Sequence, residues 1–128
     1  MGTGAENQKQ QVLVIEDVEL NRRLLNLILS SSGYELHEAE NGAEALRVLE
    51  SYTPDVIICD LYMPEMNGEE FLIAASQSES LQHIPIIMLS AEADEEIEKR
   101  FLALGAKAVL QKDGKYTNLK LCLSELLP

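Results

Sequence analysis

The sequence is poor in positive charge. Its 128 residues carry 10 Lys and Arg against 22 Asp and Glu, a net charge of −12. That balance excludes nucleic-acid binding by phosphate neutralisation. It leaves cations, basic protein surfaces or plain solubility as uses for the charge. Cysteine is scarce as well. Cys59 and Cys122 stand apart, with no CxxC spacing, which points to a reducing compartment and ordinary core packing. No apolar run approaches the ~18 residues of a membrane helix, and no signal peptide is present, so the expected setting is cytoplasmic, without a membrane. The opening MGTGAE is no myristoylation signal, because Glu6 stands where Ser or Thr is required. Internal repeats, low-complexity segments and linkers are all missing.

What is present fits one domain, with 46% apolar residues for a core. Residues 1–11 are polar and read as a disordered lead-in to a domain over 12–128. Residues 12–15 form a short apolar run ending in Glu16-Asp17. A helix follows over 20–32, with apolar residues at 20, 24, 27 and 28 and Gly33 at its C′ position. Residues 34–40 alternate as a less buried strand. Asn41 caps the next helix, with Glu44 placed for a capping box and Ala45, Leu46 and Leu49 as its apolar stripe. After a central strand, Asn67-Gly68 reads as a turn before a helix over 69–76 that turns Phe71, Leu72 and Ala75 inward. A strand over 86–89 ends at Ser90-Ala91. A helix over 94–104, acidic early and basic late as the dipole favours, closes at Gly105. A strand over 106–111 ends at Lys112, and a helix over 117–127 finishes the chain. Strand and helix alternate five times, which implies a parallel sheet with helices on both faces and right-handed crossovers. Periodicity leaves the strand order open.

The stretch VIICDLYMPEMNG, residues 56–68, carries the central strand, short, β-branched and apolar as strands buried on both faces are. Asp60 stands at its carboxyl end, the edge where parallel sheets bind ligands. Glu16-Asp17, Ser90 and Lys112 end three other strands, so four groups converge on one edge. Crowded carboxylates repel, and a hard cation such as Mg²⁺ relieves them. Lys112 adds a fixed positive charge, and the Ser90 hydroxyl can donate to an oxyanion. Together they describe a site for a phosphoryl group beside a metal. Asp60 is the favoured nucleophile, since it ends the most buried strand; Glu16 and Asp17 would then hold the metal. His37 and His83 lack metal-ligand spacing.

VLVIEDVELNRRLL, DLYMPEMNG, MLSA and GAKAVLQK occur in that order. Asp60 follows Asp17 by 43 residues, Ser90 follows Asp60 by 30, and Lys112 follows Ser90 by 22. Over residues 12–127 the chain resembles the response-regulator receiver domain of two-component signalling systems. The resemblance implies a flavodoxin-like α/β fold: a doubly wound five-stranded parallel sheet, order 2-1-3-4-5, flanked by five helices. It implies that Asp60 accepts a phosphoryl group from a phosphohistidine on a histidine kinase or histidine phosphotransfer protein. Asp17 and Asp60 would bind Mg²⁺ directly, Glu16 through water, and Tyr62 through its backbone carbonyl. Ser90 would hydrogen-bond the phosphoryl group, and Lys112 would pair with Asp60 and then with the phosphoryl oxygens. The protein would be a stand-alone receiver, a switch assisting only its own phosphorylation and dephosphorylation. Its output would run through contacts with a further protein, as a monomer or weak homodimer.

Two positions depart from the family's pattern. Asp113 follows Lys112 where proline is usual, and Val109 stands where an aromatic residue usually swings with the Ser/Thr. These motivate an alternative, a phosphorylation-independent pseudo-receiver. A receiver excised from a hybrid kinase is another. A metal-dependent aspartyl-phosphate phosphohydrolase is a third, weakened because Tyr62 stands where a second Asp would act as general acid. Beside the site, the Tyr62 ring is placed to shield a phosphoryl group from water.

Overall fold

The computed structural model describes residues 9–63, 65–112 and 116–127. The first eight residues of the expected lead-in, Pro64 and the divergent Asp113 lie outside them. Five strands alternate with five helices: β1 Gln11–Ile15, α1 Glu19–Ser30, β2 Glu35–Ala39, α2 Gly42–Val48, β3 Val56–Asp60, α3 Gly68–Ser76, β4 Ile86–Ser90, α4 Glu95–Ala103, β5 Ala108–Gln111 and α5 Thr117–Leu126. All pairings are parallel, in the order β2-β1-β3-β4-β5. This is the doubly wound, flavodoxin-like architecture expected. Gln11, assigned from sequence to the lead-in, opens β1 opposite Glu35.

Strand composition follows position in the sheet. Central β3 and β4 are buried along their whole length, as strands covered by helices on both faces must be. Edge strand β2 is mostly exposed and carries Glu35 and Glu38, charges that discourage edge-to-edge pairing. One core lies on each face. Leu13, Ile57, Phe71, Leu72, Met88 and Phe101 belong to the first. Val12, Leu25, Leu29, Ile58, Leu119 and Leu123 belong to the second.

The helix ends show which sequence signals act. Gly33 has φ +96°, its N–H donates to the Ser30 carbonyl, and the Tyr34 N–H donates to that of Leu29, closing α1 with glycine at C′ as expected. Gly105, φ +116°, closes α4 in the same way. At α2, Asn41 accepts from the Glu44 N–H, but the Glu44 carboxylate reaches the Glu40 N–H instead of returning to Asn41. The expected capping box is therefore only half made there. The full box forms at α3: Asn67 accepts from the Glu70 N–H while Glu70 accepts from the Asn67 N–H. Asn67-Gly68 is thus a helix start and not the turn expected from sequence. The apolar spacing used to recognise α1 also needs correction. Leu20 and Leu27 are exposed, and the face packed on the sheet is Leu25 and Leu29. With leucines all round the helix, spacing alone could not choose the face.

Candidate functional site

Parallel register assembles the site. Ile15 pairs with Cys59, Asp60 with Leu89 and Ser90 with Gln111, so Glu16, Asp60, Ser90 and Lys112 all leave the sheet at one edge. Backbone bonds extend the frame past the strands: Leu61 N–H donates to the Leu89 carbonyl at 3.0 Å and Lys112 N–H to that of Ser90 at 2.8 Å. Glu16, Asp60 and Ser90 are the buried polar or charged residues among those described.

Carboxylate oxygens of Glu16, Asp17 and Asp60 lie within 4.8 Å of one another. Three anions at that separation repel strongly in a partly buried place. Lys112 relieves part of this: its Nζ lies 2.6 Å from Glu16 Oε1 and 3.2 Å from Asp60 Oδ1. The lysine thus bridges two carboxylates, where the resemblance gave it Asp60 alone. Burial, and then the charge of Glu16, push the Asp60 carboxyl up to about 6 against the opposing pull of Lys112. Burial works against the Lys112 ammonium, but Glu16 and Asp60 outweigh it and hold its pKa above the usual lysine range. Cys59, buried under the same charges, is an unreactive thiol, its pKa raised by burial first and by Asp60 and Glu16 next. An all-oxygen, acidic donor set around a residual negative charge fits a hard divalent cation of the Mg²⁺ type.

The remaining groups ring this cluster. Ser90 ends β4; its Oγ donates to the Glu92 carbonyl at 3.1 Å and accepts from the Glu92 N–H at 3.2 Å, so the hydroxyl is folded onto the β4–α4 connection. Tyr62 follows Asp60 by two residues and is 64% exposed. Val109, in the family's aromatic position, is buried with Phe101 and Ala106. His37 stacks on Tyr52, ring centroids 4.1 Å apart, and His83 lies in the loop before β4; neither approaches the site.

Two contributors escape sequence reading. Gly68 packs so tightly on the end of β3 that a Cβ would stand 2.5 Å from the Asp60 carbonyl oxygen and 2.9 Å from Leu61 Cα; its N–H donates to the Leu61 carbonyl at 2.9 Å. Glycine there lets the α3 N-terminus close the loop beneath Asp60. Arg22 reaches from α1 to the Glu16 and Asp17 carbonyls. Nothing in the sequence distinguishes it from Arg23, which is exposed and pairs with Glu19.

A five-stranded parallel sheet thus gathers an acidic triad, a serine and a lysine at one edge. Residues 12–123 match the response regulator receiver domain model, and the chain belongs to that family. It is 35% identical over 103 residues to the polar-differentiation response regulator DivK of Brucella anthropi, covering 80% of this chain and 84% of that protein. The receiver domain of a signal transduction histidine kinase from Syntrophus aciditrophicus superposes with a TM-score of 0.84 at 33% identity, over 92% of this chain and 89% of that one. The response regulator TrrA of Thermotoga maritima, solved in complex with Mg²⁺–BeF, superposes at 0.82 with 30% identity, over 92% and 99% of the two chains. The protein is therefore a receiver domain of two-component signalling, a class found both standing alone and within histidine kinases. Among the described residues no helix is long and apolar enough to cross a membrane.

Proposed function

We propose that Asp60 is the phosphoacceptor of a Mg²⁺-dependent switch, charged by a phosphohistidine of a histidine kinase or histidine phosphotransfer protein. The observation that carries this reading is the buried Asp60 carboxylate, set among Glu16, Asp17 and Lys112. An Asp60 oxygen attacks phosphorus, the P–N bond of the donor breaks with its electron pair going to nitrogen, and the ring, already protonated on its other nitrogen, leaves as neutral imidazole. Asp17 and Asp60, Glu16 through water and the Tyr62 carbonyl would hold Mg²⁺, which when bound offsets negative charge on the phosphoryl oxygens. Lys112, already bridging Glu16 and Asp60, transfers its ammonium to the phosphoryl oxygens. Ser90 exchanges its Glu92 bonds for a phosphoryl oxygen, releasing the connection into α4. The exposed Val18 and Leu20 at the start of α1, with the exposed Leu27 further along it, offer the donor protein an apolar footing. The protein acts as a switch and not as a catalyst on other substrates.

Intact mass after incubation with Mg²⁺ and acetyl phosphate tests this reading. One added phosphoryl group in the parent and none in Asp60→Asn is the expected result. A folded, Mg²⁺-binding parent that gains no mass would instead favour a phosphorylation-independent module.

A further inference from the structure

We infer that Arg22 is a positioning residue that sets the site's affinity for a divalent cation by holding the Glu16-Asp17 loop from behind. The inference rests on the metal-binding reading of Glu16, Asp17 and Asp60.

The Arg22 side chain is only 11% exposed. Its Nη1 donates to the Glu16 carbonyl at 2.8 Å and to the Asp17 carbonyl at 3.3 Å. Its Nε donates to Glu38 Oε1 at 3.1 Å, and Glu38 Oε2 accepts from Asn26 Nδ2 at 2.9 Å. One guanidinium from α1 thus ties the β1–α1 loop to strand β2, and its anionic anchor is itself held in place. On the other side of the loop, Glu16 Oε2 accepts from the Val18 N–H at 3.0 Å. With both carbonyls fixed on Arg22, the backbone at residues 16 and 17 has little freedom, and their side chains leave it in set directions.

Electrostatics adds to the geometry. The triad is flanked by two cations, Lys112 in the site and Arg22 behind the loop. A metal replaces nothing at Arg22, because the guanidinium touches backbone and Glu38 and leaves the triad's carboxylates alone. Its charge and bonds therefore remain in place when a cation binds, and they hold the donors in a binding arrangement beforehand. A lysine cannot reproduce this, since one ammonium lacks the planar fork that serves three acceptors on two sides. Arg23 is the natural control, one residue along the same helix, exposed and paired with Glu19 at 3.4 Å.

The test is calorimetric titration of MgCl₂ into the full chain for the parent, Arg22→Met, Arg22→Lys and Arg23→Met. Thermal unfolding confirms that each is folded. Arg22→Met is expected to weaken Mg²⁺ binding about tenfold, within the range for residues that orient metal ligands. Arg22→Lys is expected to fall in between, and Arg23→Met to match the parent. With EDTA present, hydrogen exchange at the Val18 amide should quicken in Arg22→Met while amides of β3 and β4 keep their protection. Should Arg22→Met fail to fold, Glu38→Gln removes the anchor's charge with the side chain retained, and a loss smaller than the roughly tenfold of a deleted orienting residue is expected. Mg²⁺ affinity within twofold of the parent in the folded variant, or an equal loss in Arg23→Met, overturns the inference alone. A parent that binds no Mg²⁺ overturns the metal reading and the inference with it.

Discussion

The two sides of Asp60 are built differently. Towards β1 and β5 the site is held by charge: Lys112 spans Glu16 and Asp60, while Arg22 and the Val18 N–H fix the acidic loop. Towards β4 it is held lightly, by a serine hydroxyl sharing two neutral bonds with Glu92, whose residue is exposed. The first arrangement suits a fixed binding site, and the second suits a part that moves. The difference teaches that one site can hold its carboxylates firmly by charge and leave a neutral hydroxyl lightly held beside them, where little free energy is needed to exchange partners.

The sharpest way to break the contrast is Lys112→Met. It leaves Glu16 and Asp60 facing each other without a cation, and stability at pH 7 should drop by about 3 kcal/mol, the low end of the range for breaking a buried pair. Lys112 holds the Asp60 carboxyl down in the parent, where it lies at about 6, so in the variant Asp60 takes up its proton at higher pH and the loss should shrink as pH falls towards 6; urea unfolding at pH 8 and pH 6 measures it.

Asp60→Asn acts in the opposite sense. Because the folded-state pKa of Asp60 lies above its ordinary value of 3.8, protonation stabilises the fold, and that contribution is lost as pH rises from about 4 through about 6. With EDTA at pH 8 the amide should therefore be more stable than the parent by on the order of 1 kcal/mol after solvent screening. The advantage should decline as pH is lowered from 6 towards 4. Urea midpoints across that window decide the sign.

On the lightly held side, Ser90→Ala should cost only about 0.5–1 kcal/mol, as the loss of neutral hydrogen bonds predicts. An unfolding cost equal to that of Lys112→Met would erase the distinction between the two sides. Smallest is Tyr62→Ala. The ring is exposed, so stability should stay within about 0.5 kcal/mol of the parent, while loss of phosphoryl groups from Asp60 should quicken. An unchanged dephosphorylation rate removes the shielding role.

The sequence carried most of the frame because its signals were local. Short β-branched runs marked β1, β3 and β4, Gly33 and Gly105 marked helix ends, and strand-terminal Glu16, Asp60, Ser90 and Lys112 met because parallel strands share an edge. The order of the strands came from resemblance, since register depends on contacts between distant segments. Side-chain choices were less legible. Leu20 and Leu25 look alike in a leucine-rich helix until the sheet selects one. Arg22 and Arg23 differ only in which carbonyls they can reach. Glu44 and Glu70 both sit three residues after an asparagine, yet only Glu70 completes its box, because Glu44 finds the Glu40 N–H instead. At Gly68 the requirement is a close approach to β3 that no neighbour in the sequence announces.

That approach has a consequence for how such a protein can diversify. The Gly68 N–H on the Leu61 carbonyl, with the Gly42 N–H on that of Met66, pins the loop after Asp60 near both of its ends. The side chain at position 62 then projects, 64% exposed, from a closed frame. Under the phosphoacceptor reading, substitutions there would change how long the phosphoryl group persists while leaving the fold intact. Residue 62 would then be a timing element that selection or design can adjust with little effect on the rest.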